Sequence, residues 1–249
     1  MSWTQSLRKT FRVLSLRRVI EVGAMTMAVI TLGCTGEGSP AGEMADPTRL
    51  ACGAGKSFAG IEDVAPQGRF DGVSATVAAT RSFAGLVDQE HVSAVVGVGD
   101  GTRLYIAVSL GTFVNGRRLV FAYEYGKPGD FAYLPLTLIR PISPGSEHSL
   151  AVRRVQGASW AVEIDGQRVA QPVALPQSGK GLPYPHVFLS STNQGVPCDN
   201  EGGFVFSQVS VLRHGKHSWG TFPRRSQVRA SPGYRIRLIS SRRFSAESD

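Results

Sequence analysis

The chain consists of short segments in which apolar and polar residues alternate, separated by turns rich in glycine and proline. Alternation with a period of two is typical of β-strands that bury one face, and no long stretch keeps the helical apolar period. We predict strands over residues 70–78, 91–98, 104–110, 118–125, 133–139, 149–155, 159–164, 167–170, 186–191, 204–212 and 234–239. Strands at this spacing predict an all-β fold, a two-sheet antiparallel β-sandwich.

The turns between these strands carry their own signals. Asp100-Gly101, Asn115-Gly116 and Asp165-Gly166 are typical of two-residue hairpin turns, in which both central residues need positive φ. Pro135 interrupts one predicted strand, and it cannot donate a backbone hydrogen bond. We therefore expect that strand at a sheet edge or at a bulge.

Composition and charge narrow the class of protein. The chain has 249 residues, of which 42% are hydrophobic and 18% charged, and this is typical of a globular protein. The net charge of +8 is unevenly placed: residues 1–33 carry +4, residues 213–249 carry +7, and residues 34–212 carry −3. The mild acidity of residues 34–212 disfavours nucleic-acid binding by this part of the chain. The basic C-terminal part can bind an anionic surface.

The N-terminal part has the pattern of an export signal. Five basic residues lie within the first 18, and a mostly apolar run of about a dozen residues follows, too short for a comfortable membrane span. The run ends in Thr31-Leu32-Gly33-Cys34, which resembles the lipobox of bacterial lipoproteins and implies acylation of Cys34. We expect an export signal over 1–33, a flexible tether over 34–48 and a β-sandwich domain over 49–245. An ordinary cleaved signal or an uncleaved anchor, with Cys34 incidental, remains the alternative.

Two cysteines are left once Cys34 is set aside. In an oxidising compartment, Cys52 and Cys198 most simply form a disulfide. The alternative is one reactive thiol, but no helix terminus or cationic pocket is predicted near either cysteine to lower its pKa.

The order of several short motifs resembles that of the glutamic peptidase (eqolisin) family. The motifs are Ser57-Phe58-Ala59-Gly60, the strands 70–77 and 91–98, Asn115-Gly116 with Ala122-Tyr123-Glu124-Tyr125, and Ser143-Pro144-Gly145. The resemblance spans about residues 57 to 212. It implies a lectin-like, concanavalin-like double-sheet sandwich that carries a cleft.

The resemblance also implies a catalytic glutamine and glutamate, which this sequence does not match. Ile106 and Ala107 occupy the candidate positions for the glutamine, and the segment 186–191 that should hold the glutamate contains no carboxylate. An aliphatic side chain cannot donate a hydrogen bond to an oxyanion, and no neighbour restores a general base. If the alignment holds, the peptidase mechanism is absent.

The cleft can still bind a ligand. The groove candidates are Tyr105, Ala107, Tyr123, Glu124 and Tyr125, with the tyrosines as a stacking surface on either side of the acid. Glu163 and Asp165 form an E-x-D fragment like that of glycosidases, but Asp165-Gly166 is better explained as a turn that directs both acids to solvent. His214 and His217 lack a nearby carboxylate and are better explained as an exposed basic loop than as a metal site.

We therefore expect an exported, lipid-anchored, non-catalytic β-sandwich of the bacterial envelope that binds a polysaccharide, peptide or partner protein in a surface groove. No cofactor, metal or nucleic-acid partner is predicted. A hydrolase with a rearranged carboxylate site around Glu124 or Glu163 is one alternative. An envelope structural protein without pocket chemistry is the other.

Overall fold

The computed structural model describes residues 55–63, 68–84, 91–113, 118–136, 142–193, 200–223 and 226–248. The predicted export signal and tether, Cys34, Cys52, Cys198 and the Asn115-Gly116 turn lie outside these residues. Within the described residues, no helix is long and apolar enough to cross a membrane.

The described chain forms 15 β-strands. They are β1 (Gly55–Glu62), β2 (Phe70–Phe83), β3 (His91–Gly99), β4 (Tyr105–Phe113), β5 (Val120–Lys127), β6 (Asp130–Leu136), β7 (Glu147–Gln156), β8 (Ser159–Ile164), β9 (Gln167–Arg168), β10 (Val173–Ala174), β11 (Tyr184–Asn193), β12 (Glu201–Arg213), β13 (Gln227–Ala230), β14 (Tyr234–Ser240) and β15 (Arg243–Ser248).

The strands build two antiparallel sheets, as predicted. Sheet 1 has seven strands in the order β13-β1-β11-β3-β4-β5-β6. Sheet 2 has eight, in the order β10-β8-β7-β2-β12-β15-β14, with β9 paired to β8. The central strands β3 and β4 of sheet 1 contact β2 and β7 of sheet 2. The molecule is a two-sheet β-sandwich.

One apolar layer fills the space between the sheets. From sheet 1 it receives Ile106, Val108 and Leu110 of β4, and from sheet 2 it receives alternate residues of β2 and β7, such as Val73 and Leu150. Because successive strand residues point to opposite faces, the intervening residues of β4 lie on the side of sheet 1 that faces away from sheet 2. We call that side the outer face.

The turn predictions have different outcomes. Asp165 and Gly166 have φ of 52° and 76° between β8 and β9, so the two-residue turn is confirmed. Asp100-Gly101 is instead part of a longer connection, in which Asp100 Oδ1 accepts hydrogen bonds from the backbone amides of Thr102 and Leu104. Pro135 lies on β6, an edge strand of sheet 1, as expected.

The C-terminal part contributes more than the single strand predicted there. β15 runs to Ser248, three residues past the expected domain end at 245, and lies between β12 and β14 inside sheet 2. Phe244 and Ala246 are fully buried, and the Ser248 hydroxyl accepts a hydrogen bond from the Gly202 amide. Small residues at alternate positions gave β15 a weak apolar signal, which explains why the sequence pattern did not predict it.

A buried ionic network stabilises one end of sheet 2. The Asp71 carboxylate accepts hydrogen bonds from Arg154 Nε at 2.7 Å and Arg154 Nη2 at 2.8 Å, and it lies 3.0 Å from His214 Nδ1. Burial alone would raise the pKa of Asp71, but the hydrogen bonds from Arg154 and His214 hold it below its ordinary value. His214, considered above as a metal ligand, is therefore part of this network.

Replacing Asp71 by asparagine should destabilise the fold at neutral pH. We expect Asp71→Asn to lower the free energy of unfolding by about 3 kcal/mol, because Arg154 then loses its charged partner. A carboxyl with a lowered pKa stabilises above its unfolded pKa of about 4 and loses that contribution as the pH falls through its folded pKa. The difference between variant and wild type in urea unfolding should therefore shrink under strongly acid conditions.

Asp130→Asn is the matched control, since Asp130 pairs with Lys127 at the exposed end of a hairpin. It should change stability by less than about 1 kcal/mol. An equal loss in both variants, or no dependence of the Asp71→Asn effect on pH, would show that the network does not stabilise the fold in this way.

Candidate functional site

Strand register aligns a row of side chains across the outer face of sheet 1. His186 of β11 pairs with Gly97 of β3, and Gly97 pairs with Ala107 of β4. Ala107 pairs in turn with Glu124 of β5, and Glu124 with Tyr133 of the edge strand β6. Because paired residues share a face, all five lie on the outer face.

The residues at the centre of this row, Gly97 and Ala107, have no long side chain that rises above the sheet. A Cβ atom built on Gly97 would lie 2.5 Å from His186 Nε2 and 2.7 Å from the Ala107 Cβ, closer than real contacts allow. The imidazole therefore occupies the space that a side chain at position 97 would need. The small residues form a floor, with His186 on one side and Glu124 and Tyr133 on the other.

His186 is held as a neutral imidazole. Its ring stacks on Phe188 with centroids 5.0 Å apart, and Nδ1 lies 3.3 Å from the carbonyl oxygen of Tyr184. Although part of the side chain remains exposed, burial of the ring lowers its pKa to about 4. Since the carbonyl can only accept, Nδ1 is assigned as the donor, and Nε2 above Gly97 is an unprotonated acceptor.

An aromatic–acid cluster lies at the opposite side of the floor. It consists of Glu124, Tyr105, Phe131 and Tyr133, which share the outer face through the pairings of β4, β5 and β6. The Tyr105 and Phe131 rings are tilted, with centroids 6.5 Å apart. Phe131 and Tyr133 are 62% and 39% exposed, so this cluster presents aromatic surface to solvent.

Glu124 sets the electrostatics of the cluster. Burial raises the pKa of Tyr105, and the charge of Glu124 and a hydrogen bond to it raise it further. The pKa of Tyr133 is raised by burial and then by the same carboxylate. Both phenols therefore stay protonated, and the Tyr105 hydroxyl donates to Glu124.

A depression of about 450 Å³ lies beside the row, where β1, β3 and β11 meet the connection after β3. The rings of Tyr184, His186 and Tyr105 line it, together with the Glu62–Arg229 ion pair, whose Nη1 and Oε1 atoms are 2.8 Å apart. A depression of this volume is within the range of ligand sites.

The five groove candidates do not lie on one surface. Tyr105, Ala107 and Glu124 are on the outer face, but Tyr123 pairs with Val108 and Tyr125 with Ile106, and both tyrosines pack against the core. Strand alternation is the reason, since neighbours of Glu124 in sequence must point to the other side of the sheet. The aromatic partners of Glu124 come instead from β4 and β6.

Sequence analysis missed three residues of this site: Phe131, Tyr133 and His186. Phe131 and Tyr133 alternate along β6, but the strand was predicted to start only at Tyr133. His186 was placed on a strand and given no role, because its position over Gly97 depends on pairing between distant segments.

The E-x-D fragment has structural partners. Glu163 Oε1 accepts from Arg153 Nη2 at 2.6 Å. Asp165 accepts from the Ser149 amide at 2.8 Å and lies 2.9 Å from His148 Nδ1. Within the described residues, no cluster of three or more potential metal ligands is present.

The chain is similar in fold to solved structures of glutamic peptidases. Scytalido-glutamic peptidase with a peptide-based transition-state analogue matches at a TM-score of 0.56 and 16% identity, over 78% of this chain and 98% of that one. The chain is an eqolisin-like β-sandwich.

A second eqolisin, SCP-B in complex with the tripeptide Ala-Ile-His, matches at a TM-score of 0.55 and 15% identity, over 78% of this chain and 98% of that one. No family model and no curated protein matches the chain. At this identity the likeness establishes the eqolisin-like fold, and the chemistry has to be argued from the residues.

The structure places the residues that the sequence comparison named for the glutamine and the glutamate. Of the two candidates for the glutamine, Ile106 is buried in the core and Ala107 is on the outer face. The residues of β11 that share the outer face are Tyr184, His186, Phe188, Ser190 and Thr192, none of which is a carboxylate. The buried methyl group of Ala107 and the imidazole of His186 thus lie on either side of Gly97.

Replacing Gly97 by alanine should expel the His186 ring. The added Cβ would also approach the Ile106 carbonyl oxygen at 2.9 Å, so we expect a destabilisation of about 1–3 kcal/mol. In the variant the pKa of His186, followed by NMR titration, should rise from about 4 towards the 6.5 of a solvated histidine.

Gly220→Ala is the control, because its Cβ would meet no atom closer than 4.0 Å. An unchanged His186 titration in Gly97→Ala would contradict the packing of the imidazole over Gly97.

Proposed function

We propose that this protein binds an extended peptide on the outer face of sheet 1 without cleaving it. The aromatic–acid cluster carries the proposal, because it joins exposed ring surface to a carboxylate at the edge of a floor of small residues. Rings supply stacking area, and a carboxylate fixes polar or cationic groups of a ligand.

The solved structures favour a peptide among the ligand classes considered. Scytalido-glutamic peptidase was solved with a peptide-based transition-state analogue, and SCP-B with the tripeptide Ala-Ile-His. Those ligands belong to those proteins. They support the idea that a face of this architecture accepts an extended chain. A polysaccharide or a folded partner protein is the competing ligand class.

The distance between His186 and Glu124 supports ligand binding over hydrolysis. His186 and Glu124 are separated by β3 and β4, so their Cα atoms are about 14 Å apart at the usual strand spacing. Paired carboxyls in retaining glycosidases lie about 5–5.5 Å apart, and a nucleophile and its base lie within hydrogen-bond reach. The methyl group of Ala107 between them supplies no donor for an oxyanion.

A hydrolase with a rearranged site is the second candidate. The observation that favours it is the unprotonated Nε2 of His186, which faces the floor and can accept a proton from water. In this alternative His186 is the base and Glu124 a ligand-positioning acid. A structural envelope protein is the third, but it gives no role to the exposed rings of Phe131 and Tyr133.

Selection from a random-peptide display library, in parallel with a panel of soluble polysaccharides, tests the ligand class. For a selected peptide, Phe131→Ala and Tyr133→Ala should each weaken binding about tenfold in calorimetry, since each removes one stacking surface. Glu124→Gln, which keeps the shape and removes the charge, should weaken a cationic peptide more than a neutral one. Trp219→Ala is the control, because Trp219 is 38% exposed, close to the value for Tyr133, but packs against Gly72 of sheet 2.

Two results would overturn the proposal. Selection of a polysaccharide and no peptide would show that the ligand class is wrong. Hydrolysis of casein or of a glycan at acid pH that is lost in Glu124→Ala or His186→Gln would show that the protein is an enzyme.

We also propose that the domain works outside the cytoplasm, attached to the outer side of the cell membrane through acylated Cys34. The proposal rests on the basic N-terminus, the apolar run and the Leu32-Gly33-Cys34 sequence.

The Cys34→Ser variant should lose incorporation of a labelled fatty acid and move from the membrane fraction to the soluble fraction in cells. Cys198→Ser is the control and should keep the label. A Cys34→Ser protein that remains labelled or membrane-bound to the same extent would contradict lipid attachment at this residue.

A further inference from the structure

The hairpin of β14 and β15 presents an apolar pair to solvent at one end of sheet 2. Leu238 is 57% exposed and Ile239 is 51% exposed. All residues from 237 to 243 are exposed, and we call this segment the hairpin tip. Two adjacent aliphatic side chains at the exposed end of β14 leave apolar surface in water, and this makes the hairpin tip a candidate contact surface.

An irregularity in the strand pairing contributes to this exposure. Leu238 pairs with Phe244 and Ser240 with Arg243, so Ile239 is an extra residue without a cross-strand partner. Such a bulge increases local twist and turns the side chain away from the sheet. Leu238 shares a face with Phe244, and both Leu238 and Ile239 remain exposed at this end of the hairpin.

Arginines flank the apolar pair in the sequence. Arg237, Arg242 and Arg243 are exposed, and in the described part of the chain none of them forms an ion pair. The ion pair of this hairpin is that of Arg235 with Glu247, nearer its other end. Residues 213–249 hold nine basic and two acidic residues. The hairpin tip thus combines unneutralised guanidinium groups with aliphatic surface.

The tip is fixed to the rest of sheet 2. The Val209 amide donates to the Arg242 carbonyl oxygen at 3.2 Å, and the buried Phe244 ring stacks on Phe206 with centroids 4.6 Å apart. The surface is therefore presented in one orientation, which lowers the entropy lost on binding.

We propose that the hairpin tip docks onto the surface of an anionic lipid bilayer. Leu238 and Ile239 enter the boundary between headgroups and acyl chains, and the guanidinium groups bind lipid phosphates. The guanidinium groups of Arg237, Arg242 and Arg243 stay at the level of the lipid headgroups. Their aliphatic stems lie at the same depth as the apolar pair. The alternative occupant is a second copy of this chain on the free edge of β14, but two such edges would bring Arg235 and Arg237 of both copies together.

Local fluorescence on the full chain with Cys34→Ser tests the proposal without depending on what the N-terminal segment does. In Ile239→Trp, mixing with phosphatidylglycerol-containing vesicles should shift the added emission to shorter wavelength, and brominated acyl chains should quench it. Val228→Trp is the control, because Val228 is 44% exposed on an edge strand of sheet 1 and should respond to neither.

Charge is tested in the same assay. Changing Arg237, Arg242 and Arg243 together to glutamine should weaken the vesicle-dependent shift of Ile239→Trp about a hundredfold in lipid concentration. Circular dichroism should confirm that the variant is folded, and phosphatidylcholine vesicles should give no shift.

Three results would overturn the proposal. No shift or quenching at position 239 excludes insertion. Binding that depends on the arginines but leaves the position 239 emission unchanged indicates a purely ionic contact with a polyanion. A shift that appears without vesicles and grows with protein concentration identifies a second copy of the chain as the occupant.

Discussion

The apolar layer shared by the two sheets decides where every other side chain of the central strands can be. Once Ile106, Val108 and Leu110 are turned into that layer, Tyr105, Ala107 and Ser109 must face outwards, because the strand period is two residues. Because paired residues share a face, antiparallel pairing also determines which residues of β3, β5 and β11 face outwards. The residues of the outer face are therefore those that alternate with the core residues. A shift of one strand by one residue would exchange the two sets and disrupt both faces.

This dependence underlies our proposal that the outer face binds a ligand without catalysing a reaction. The strands place His186 and Glu124 on the same face but with two strands between them, and the intervening positions hold glycine and alanine. Such a surface is wide and shallow, with a neutral imidazole on one side and the aromatic–acid cluster on the other. It can contact several residues of an extended ligand at once. It does not concentrate donors and acceptors around a single atom, as acyl-transfer sites do.

The sequence predicted the parts of the structure that depend on near neighbours. The Asp165-Gly166 turn needs only two residues that tolerate positive φ, and the edge position of Pro135 follows from its missing amide proton. The two-sheet sandwich followed from the number and spacing of alternating segments. The sequence also indicates that Tyr123 and Tyr125 face the core, because Phe121, Tyr123 and Tyr125 alternate as one apolar face. The expectation that two tyrosines flank Glu124 in a groove favoured the other interpretation. The cluster around Glu124 and the packing of His186 over Gly97 depend on partners 9 to 89 positions away in the chain. No local pattern specifies those.

The position of β15 has a consequence for how the molecule is made. This strand comes after all the others in the sequence, yet it lies inside sheet 2, where it joins β12 to β14 and buries Phe244. Until residues 243–248 leave the ribosome, β12 has an open edge and Phe206 lacks the ring that stacks on it. An unpaired strand edge of this kind invites association with other chains. The nascent chain therefore exposes the edge of β12 until its last strand has been synthesised.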